Sequence, residues 1–223
     1  LLLFIVLLFF FLSTALSQEK KEEGSLFIYF MEEKVGYEEF TWQSDGEGYL
    51  LEASGRMTKP VVLEINKLRL HLDKNFIPRK FYFKGSVSGV TQEITSSISE
   101  GNVENIIRVS GQERKAEINI RRDAFLLPNA IFSPYVALVK KFRCSLQEKV
   151  ELSAYIIPQL EVPFTLEPKE TEETGEAKGT EKELSCFLIM NMGGMEIELE
   201  TDDEGNLKSI VIPSQRLKVV KAN

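Results

Sequence analysis

Along most of this chain apolar and polar residues alternate, the period of a half-buried strand. The run 61–76, "VVLEINKLRLHLDKNF", shows it best: Leu63 and Ile65 alternate in one parity, Leu68, Leu70 and Leu72 in the other. A parity switch at Asn66-Lys67 is what one extra residue, a β-bulge, produces. Bulges bend strands, so this one predicts a strongly curved sheet.

Other segments repeat the pattern. Residues 26–31 ("LFIYFM") are a continuous apolar run of strand length, followed by a charged turn over Glu32–Gly36. In the next stretch Phe40 and Trp42 share a face, Asp45-Gly46 marks a turn, and Tyr49, Leu51 and Ala53 alternate on the return, a hairpin pattern. Phe81, Phe83 and Val87 then oppose Lys80, Tyr82, Lys84 and Ser86. Strands follow at 90–99, 103–110 and 115–121, separated by Glu100-Gly101 and Ser110-Gly111. Turn signals at this spacing predict a meander within one large antiparallel sheet.

Residues 123–144, "DAFLLPNAIFSPYVALVKKFRC", break the period. Ile131, Tyr135, Leu138 and Phe142 recur at helical spacing, with Phe132, Val136 and Val139 beside them. Ser133-Pro134 supplies an N-cap and first-turn pair, with Asn129 an earlier alternative start, and Lys140, Lys141 and Arg143 suit the C-terminal end of the helix dipole. The helix is apolar over more than half its circumference, so it is expected to be buried. Beyond it come a strand and an extended edge broken by Pro158 and Pro163, a solvated charged loop at 167–183, and three strands ending in "NLKSIVIP". The last hairpin turns at 203–206.

The expected fold is therefore mainly β: one large curved antiparallel sheet, a half-open barrel, with one helix packed on its concave face. The apolar run Leu1–Leu12, followed by Ala15 and Ser17, reads as a signal peptide over 1–17, shortened at its N-terminal side and too brief to span a bilayer. The alternative is an uncleaved anchor. After a linker at 18–24, residues 25–221 form a single β-rich domain. Export to the periplasm or the extracellular space is expected, with no integral membrane segment after cleavage.

The net charge of −7 argues against nucleic acid and against charge-driven docking on anionic membranes. A transmembrane barrel is disfavoured because Arg69, Lys80, Lys84, Glu196, Glu198 and Glu200 recur on the faces that would meet lipid. Cys144 and Cys186 are candidates for a disulfide in an oxidising compartment, with two buried free thiols the alternative. One histidine and two distant cysteines offer no metal-ligand spacing, so no metal and no cofactor are expected.

Chemistry is sparse. Gly85–Gly89, "GSVSG", has valine where a nucleophile elbow needs serine. His71 shares the polar parity of Arg69 and Asp73 and reads as a surface residue. The carboxylates Glu38/Glu39 and Asp202/Asp203/Glu204 read as turn or solvated residues, and the 202–206 turn lacks the ligand spacing of a calcium loop. No enzyme activity is expected.

What remains is an aromatic and apolar inventory: Phe40, Trp42, Phe81, Phe83, Phe132, Tyr135 and, from the helix, Leu138. An ordinary core between sheet and helix is one reading. The other is a binding site, because the concave face of a curved sheet exceeds what one short helix can fill, and leftover apolar space takes lipids or acyl groups.

The order of "GSLFIYFMEEKVGYEEFTWQSDGEGYLLEASG", "LRLHLDKNFIPRKFYFKG" and "LLPNAIFSPYVAL" resembles exported bacterial β-rich half-barrel domains. These belong to the superfamily of lipoprotein carriers and glycolipid-binding proteins and are similar to the N-terminal domain of some secreted α/β-hydrolases. The resemblance spans roughly residues 25–160 and implies a half-open barrel around a helix with a lipid or acyl ligand. It carries over no individual site residue. The sequence thus leads to a carrier for a hydrophobic small molecule or lipid held between sheet and helix. The alternative is a non-catalytic structural or interaction module with a self-filled core and a protein partner.

Overall fold

The structure, a computed structural model, describes residues 21–44, 46–169 and 185–222. The expected signal peptide, linker residues 18–20, Asp45 and the charged stretch 170–183 lie outside the described residues.

Eight strands run as a meander: β1 (Lys21–Phe30), β2 (Glu33–Ser44), β3 (Gly48–Met57), β4 (Leu63–Asp73), β5 (Pro78–Val87), β6 (Val90–Ser99), β7 (Asn102–Val109) and β8 (Gln112–Asn119). The chain crosses through β9 (Phe125–Leu126) and helix α1 (Tyr135–Phe142). It returns as β10 (Val150–Ile156), β11 (Leu160–Pro168), β12 (Ser185–Met192), β13 (Met195–Asp202), β14 (Leu207–Ile212) and β15 (Leu217–Lys221). All fifteen strands form one open sheet in the order β8-β7-β6-β5-β4-β3-β2-β1-β15-β14-β13-β12-β11-β10-β9. β1 joins the two meanders, pairing with β2 on one side and β15 on the other.

Tight turns set the register. Ser88-Gly89, Glu100-Gly101, Ser110-Gly111 and Gly193-Gly194 each place two consecutive residues at positive φ, the two-residue turn whose twist matches that of the strands it joins. The bulge inferred at Asn66-Lys67 is present: Ala53 pairs with Leu68 and Gly55 with Ile65, so two residues of β4 oppose one of β3. After it Leu68, Leu70 and Leu72 point into the core while Lys67, Arg69 and His71 point out.

Several expectations are corrected. Lys21–Gly24, expected in a linker, open β1, where Glu22 pairs across to Trp42. The charged turn after β1 shrinks to Met31-Glu32. The sheet is not purely antiparallel, because the crossover through α1 brings β10 back parallel to β9. Segment 160–168 is no edge: β11 lies between β10 and β12, and Pro163 is tolerated because β12 has already ended opposite Phe164. Pro168 still belongs to β11, and Lys169 donates its backbone N–H to the Phe187 carbonyl, so the stretch expected as loop from 167 begins later. A fourth late strand, β15, follows the three expected.

The concave face holds one continuous apolar core, drawn from β1–β7, the 124–139 segment and β10–β15. The two arms of the open sheet meet through side chains. Ser96 Oγ of β6 donates to Asn105 Oδ1 of β7 (2.6 Å), and Asn105 Nδ2 donates to Tyr155 Oη of β10 (2.8 Å). Tyr155 Oη in turn donates to the Pro158 carbonyl (2.7 Å). Nearby, the Arg121 backbone N–H donates to Glu161 Oε1 (3.0 Å). Among the described residues no helix is long and apolar enough to cross a membrane.

Candidate functional site: a filled concave face and two outer pockets

The structure gathers the seven candidate residues in the one core. Phe40 and Trp42 project from β2, Phe81 and Phe83 from β5, and Phe132, Tyr135 and Leu138 from the plug segment, all between 0 and 6% exposed. Trp42 stacks on Tyr49 at 5.0 Å, and Tyr49 on Phe76 at 4.5 Å, at one end of the sheet. Burial pushes the Tyr135 phenol well above its ordinary value. Phe40 also borders a surface pocket of about 820 Å³ and Phe81 a neighbouring one of about 360 Å³, and Lys67 lines both.

A residue read as solvated fixes the plug. Glu38 of β2 is 1% exposed. Its carboxylate accepts the backbone N–H groups of Phe132 (2.8 Å) and Ser133 (2.7 Å), just before α1. This displaces the expected cap: Ser133 makes no capping hydrogen bond, and Pro134 stands at the N-cap position. Ser133 Oγ is wholly buried and has no partner within hydrogen-bonding geometry, though it lies close enough to bias Glu38 toward its ionised form. Burial is the larger influence and raises the Glu38 carboxyl above its ordinary value; the two backbone donors offset part of this. Gly55 on β3 leaves room beside it, since a Cβ there would lie 3.1 Å from Glu38 Cγ and 2.3 Å from the Tyr37 carbonyl. The sequence signal was parity: Glu38 shares the inward face of Phe40 and Trp42.

The far end of α1 is tied by charge and by covalent bonding. Lys140 Nζ contacts Glu22 Oε2 (2.6 Å) and Asn206 Oδ1 (2.7 Å), and Lys221 Nζ contacts Glu22 Oε1 (2.9 Å). Burial raises the Glu22 carboxyl, but the two ammonium groups outweigh it and hold it below its ordinary value. Asp202, read with the turn carboxylates, accepts the Asn206 backbone N–H (2.7 Å) and so closes the β13–β14 hairpin. A disulfide joins Cys144 to Cys186 with Cα atoms 5.5 Å apart, linking the chain after α1 to β12. Among the described residues no group of three or more His, Cys, Asp or Glu side chains is placed to hold a metal ion.

Two of the pockets on the outer face differ in character. Phe27 and Tyr29 of β1, Val211 of β14 and Val220 of β15 line an apolar cleft of about 770 Å³, rimmed by Met31, Arg216 and Lys218. Lys67, Arg69, His71, Lys80, Tyr82 and Thr95 border the 360 Å³ pocket on β4–β6.

No protein-family model matches the chain, and no curated protein matches it in sequence. Among solved structures it is similar to a DUF1089 family protein from Pseudomonas aeruginosa, with 9% identity and a TM-score of 0.44 over 85% of this chain and 90% of that one. That is a distant, mostly β neighbour, and no lipoprotein-carrier family is identified by it.

Proposed function

We propose that this chain is an exported, non-catalytic interaction module whose concave face is filled by its own side chains and whose contacts are made on the outer surface. One observation carries the reading: all seven side chains best suited to line an internal ligand site are buried in one core that includes the plug. A ligand held there must displace the plug, and Glu38 anchors it through two buried backbone donors. The Cys144–Cys186 disulfide suits the oxidising compartment that export would reach.

A carrier for a lipid or acyl group is the second reading, and the outer cleft of Phe27, Tyr29, Val211 and Val220 favours it, since its volume falls in the range of small-molecule sites. Native mass spectrometry of protein purified without detergent decides between them. A bare protein that also refuses fluorescent fatty-acid probes supports the self-filled module. Copurifying acyl lipid lost on Val220→Glu supports a carrier that uses the outer cleft. Lipid insensitive to Val220→Glu but lost on Leu138→Trp would restore the site between sheet and helix.

A further inference from the structure

We infer that the pocket on the convex face of β4–β6 is a binding site for a phosphate-like oxyanion. The inference rests on the reading that ligands are taken on the outer surface, and it names the chemistry of one such site.

Register builds the site. Lys67 of β4 lies directly opposite Lys84 of β5, and His71 opposite Lys80, with Arg69 opposite Tyr82 between them. Directly opposed residues on one face have Cβ atoms about 5 Å apart, and like charges there are destabilising. Lys67–Lys84 is thus an unfavourable like-charged cross-strand pair, held in a chain whose net charge is −7, and Lys80 stands on the same outer face of β5. The neighbouring acids do not neutralise it. Glu52 on β3 is paired with Arg69, and Glu93 on β6, although in register with Lys84, is paired with Arg108 at 3.1 Å. Among the described residues Lys67, Lys80 and Lys84 have no carboxylate within ion-pair distance.

The third strand completes the donor set. Thr95 lies opposite Tyr82 and Ser97 opposite Lys80, so two hydroxyls join the ammonium groups around the pocket. Its floor is formed by the buried residues Phe81 and Ser96. A phosphate group offers several oxygens that only accept, and here Lys67, Lys80 and the two hydroxyls line one pocket as donors, with the Glu52-paired Arg69 beside them. At about 360 Å³ the pocket has room for the oxyanion and a small substituent, so it can come from a free phosphate ester or from a phospholipid headgroup.

The test titrates the protein with inorganic phosphate, following backbone amide shifts. In parallel it measures cosedimentation with phosphatidylcholine vesicles with and without phosphatidylglycerol. The site predicts saturable shifts in 67–71, 80–84 and 95–97. The double variant Lys67→Ala/Lys80→Ala should weaken binding by about tenfold or more, while Lys115→Ala on β8 should leave it unchanged. Binding to phosphate assigns a soluble ester; binding only to phosphatidylglycerol vesicles, lost in the same double variant, assigns a headgroup. No binding in either arm, or binding indifferent to the double variant, overturns the site. Lipid found in the core by native mass spectrometry would refute the outer-surface reading and leave the oxyanion result standing.

Discussion

Replacing Glu38 with alanine removes the acceptor of two backbone N–H groups that have no water to turn to. The carboxylate is 1% exposed and receives Phe132 N–H at 2.8 Å and Ser133 N–H at 2.7 Å. Leaving a buried donor unsatisfied costs about 1–3 kcal/mol, so two orphaned donors amount to roughly 2–6 kcal/mol. That is a large share of the roughly 5–15 kcal/mol by which a domain is stable. Urea denaturation of Glu38→Ala should show the loss, and amide exchange at residues 132 and 133 should quicken more than at the Leu68 amide of β4. A loss below about 1 kcal/mol would refute the plug-anchor argument.

Charge gives the same residue a second signature. The Glu38 carboxyl is raised above its ordinary value of 4.5, so near and above that pH the folded state holds a proton that the unfolded state has released. The stability it contributes is fully present below the unfolded value and is lost as pH rises through the folded one. Glu22 and Asp202 are lowered and act oppositely: their contribution is present above the ordinary value and is lost as pH falls through their folded values. Glu38→Gln cannot ionise. The stability difference, wild type minus Glu38→Gln, should therefore shrink as pH rises above 4.5, by at most about 1.4 kcal/mol per unit. A difference that is flat or grows with pH would contradict the assignment.

Three further perturbations probe how the open sheet is held. Asn105→Ala breaks the seam between Ser96 and Tyr155 and should cost about 2–4 kcal/mol, with Tyr155→Phe costing about 1 kcal/mol and the double variant clearly non-additive in urea melts. Reducing the Cys144–Cys186 bond releases a loop of 42 residues' separation and should lower stability by about 4 kcal/mol, read as a shift of the urea midpoint on adding reductant. Gly205→Ala should lower the thermal midpoint, with a cost of about 1–3 kcal/mol. Gly205 sits at φ +79°, and a Cβ there would come within 2.9 Å of Arg143 Cγ and 3.1 Å of the Val139 carbonyl oxygen.

The architecture was legible where apolar parity and turn chemistry agree. Leu63 and Ile65 against Leu68, Leu70 and Leu72 revealed both β4 and its bulge, and Glu100-Gly101 and Ser110-Gly111 marked hairpins that the structure forms. β15 is not legible in the pattern because Leu217–Lys221 is short and two of its five residues are lysines; it is a strand because it fills the place between β1 and β14. The polar residues that organise the interior were hidden by their own chemistry. Glu38, Ser96 and Asn105 each occupy an inward position among apolar neighbours in their strands: Phe40 and Trp42, Ile94 and Ile98, Val103 and Ile107. A polar residue on the apolar parity of a strand looks like noise in a hydrophobicity pattern, yet burial obliges it to find a partner. Here the partners are 94 residues away in the Glu38–Phe132 bond and 50 in the Asn105–Tyr155 bond, beyond any local signal.

The bulge in β4 connects the interior to the outer face. One extra residue, Asn66, shifts β4 by one position against β5, so that Ile65 faces Gly85 and Lys67 faces Lys84. Had the earlier parity continued, Leu68, Leu70 and Leu72 would point to solvent and Lys67, Arg69 and His71 into the core. The same insertion therefore bends the sheet around the plug, restores the leucines to the interior and delivers Lys67, Arg69 and His71 outward, opposite Lys84, Tyr82 and Lys80 of β5. Curvature alone would need the bulge but not a lysine at 67 facing Lys84, where an uncharged polar residue would avoid the cross-strand repulsion. The fold accounts for the bulge, and the basic side chains set beside it are what the proposed oxyanion site rests on.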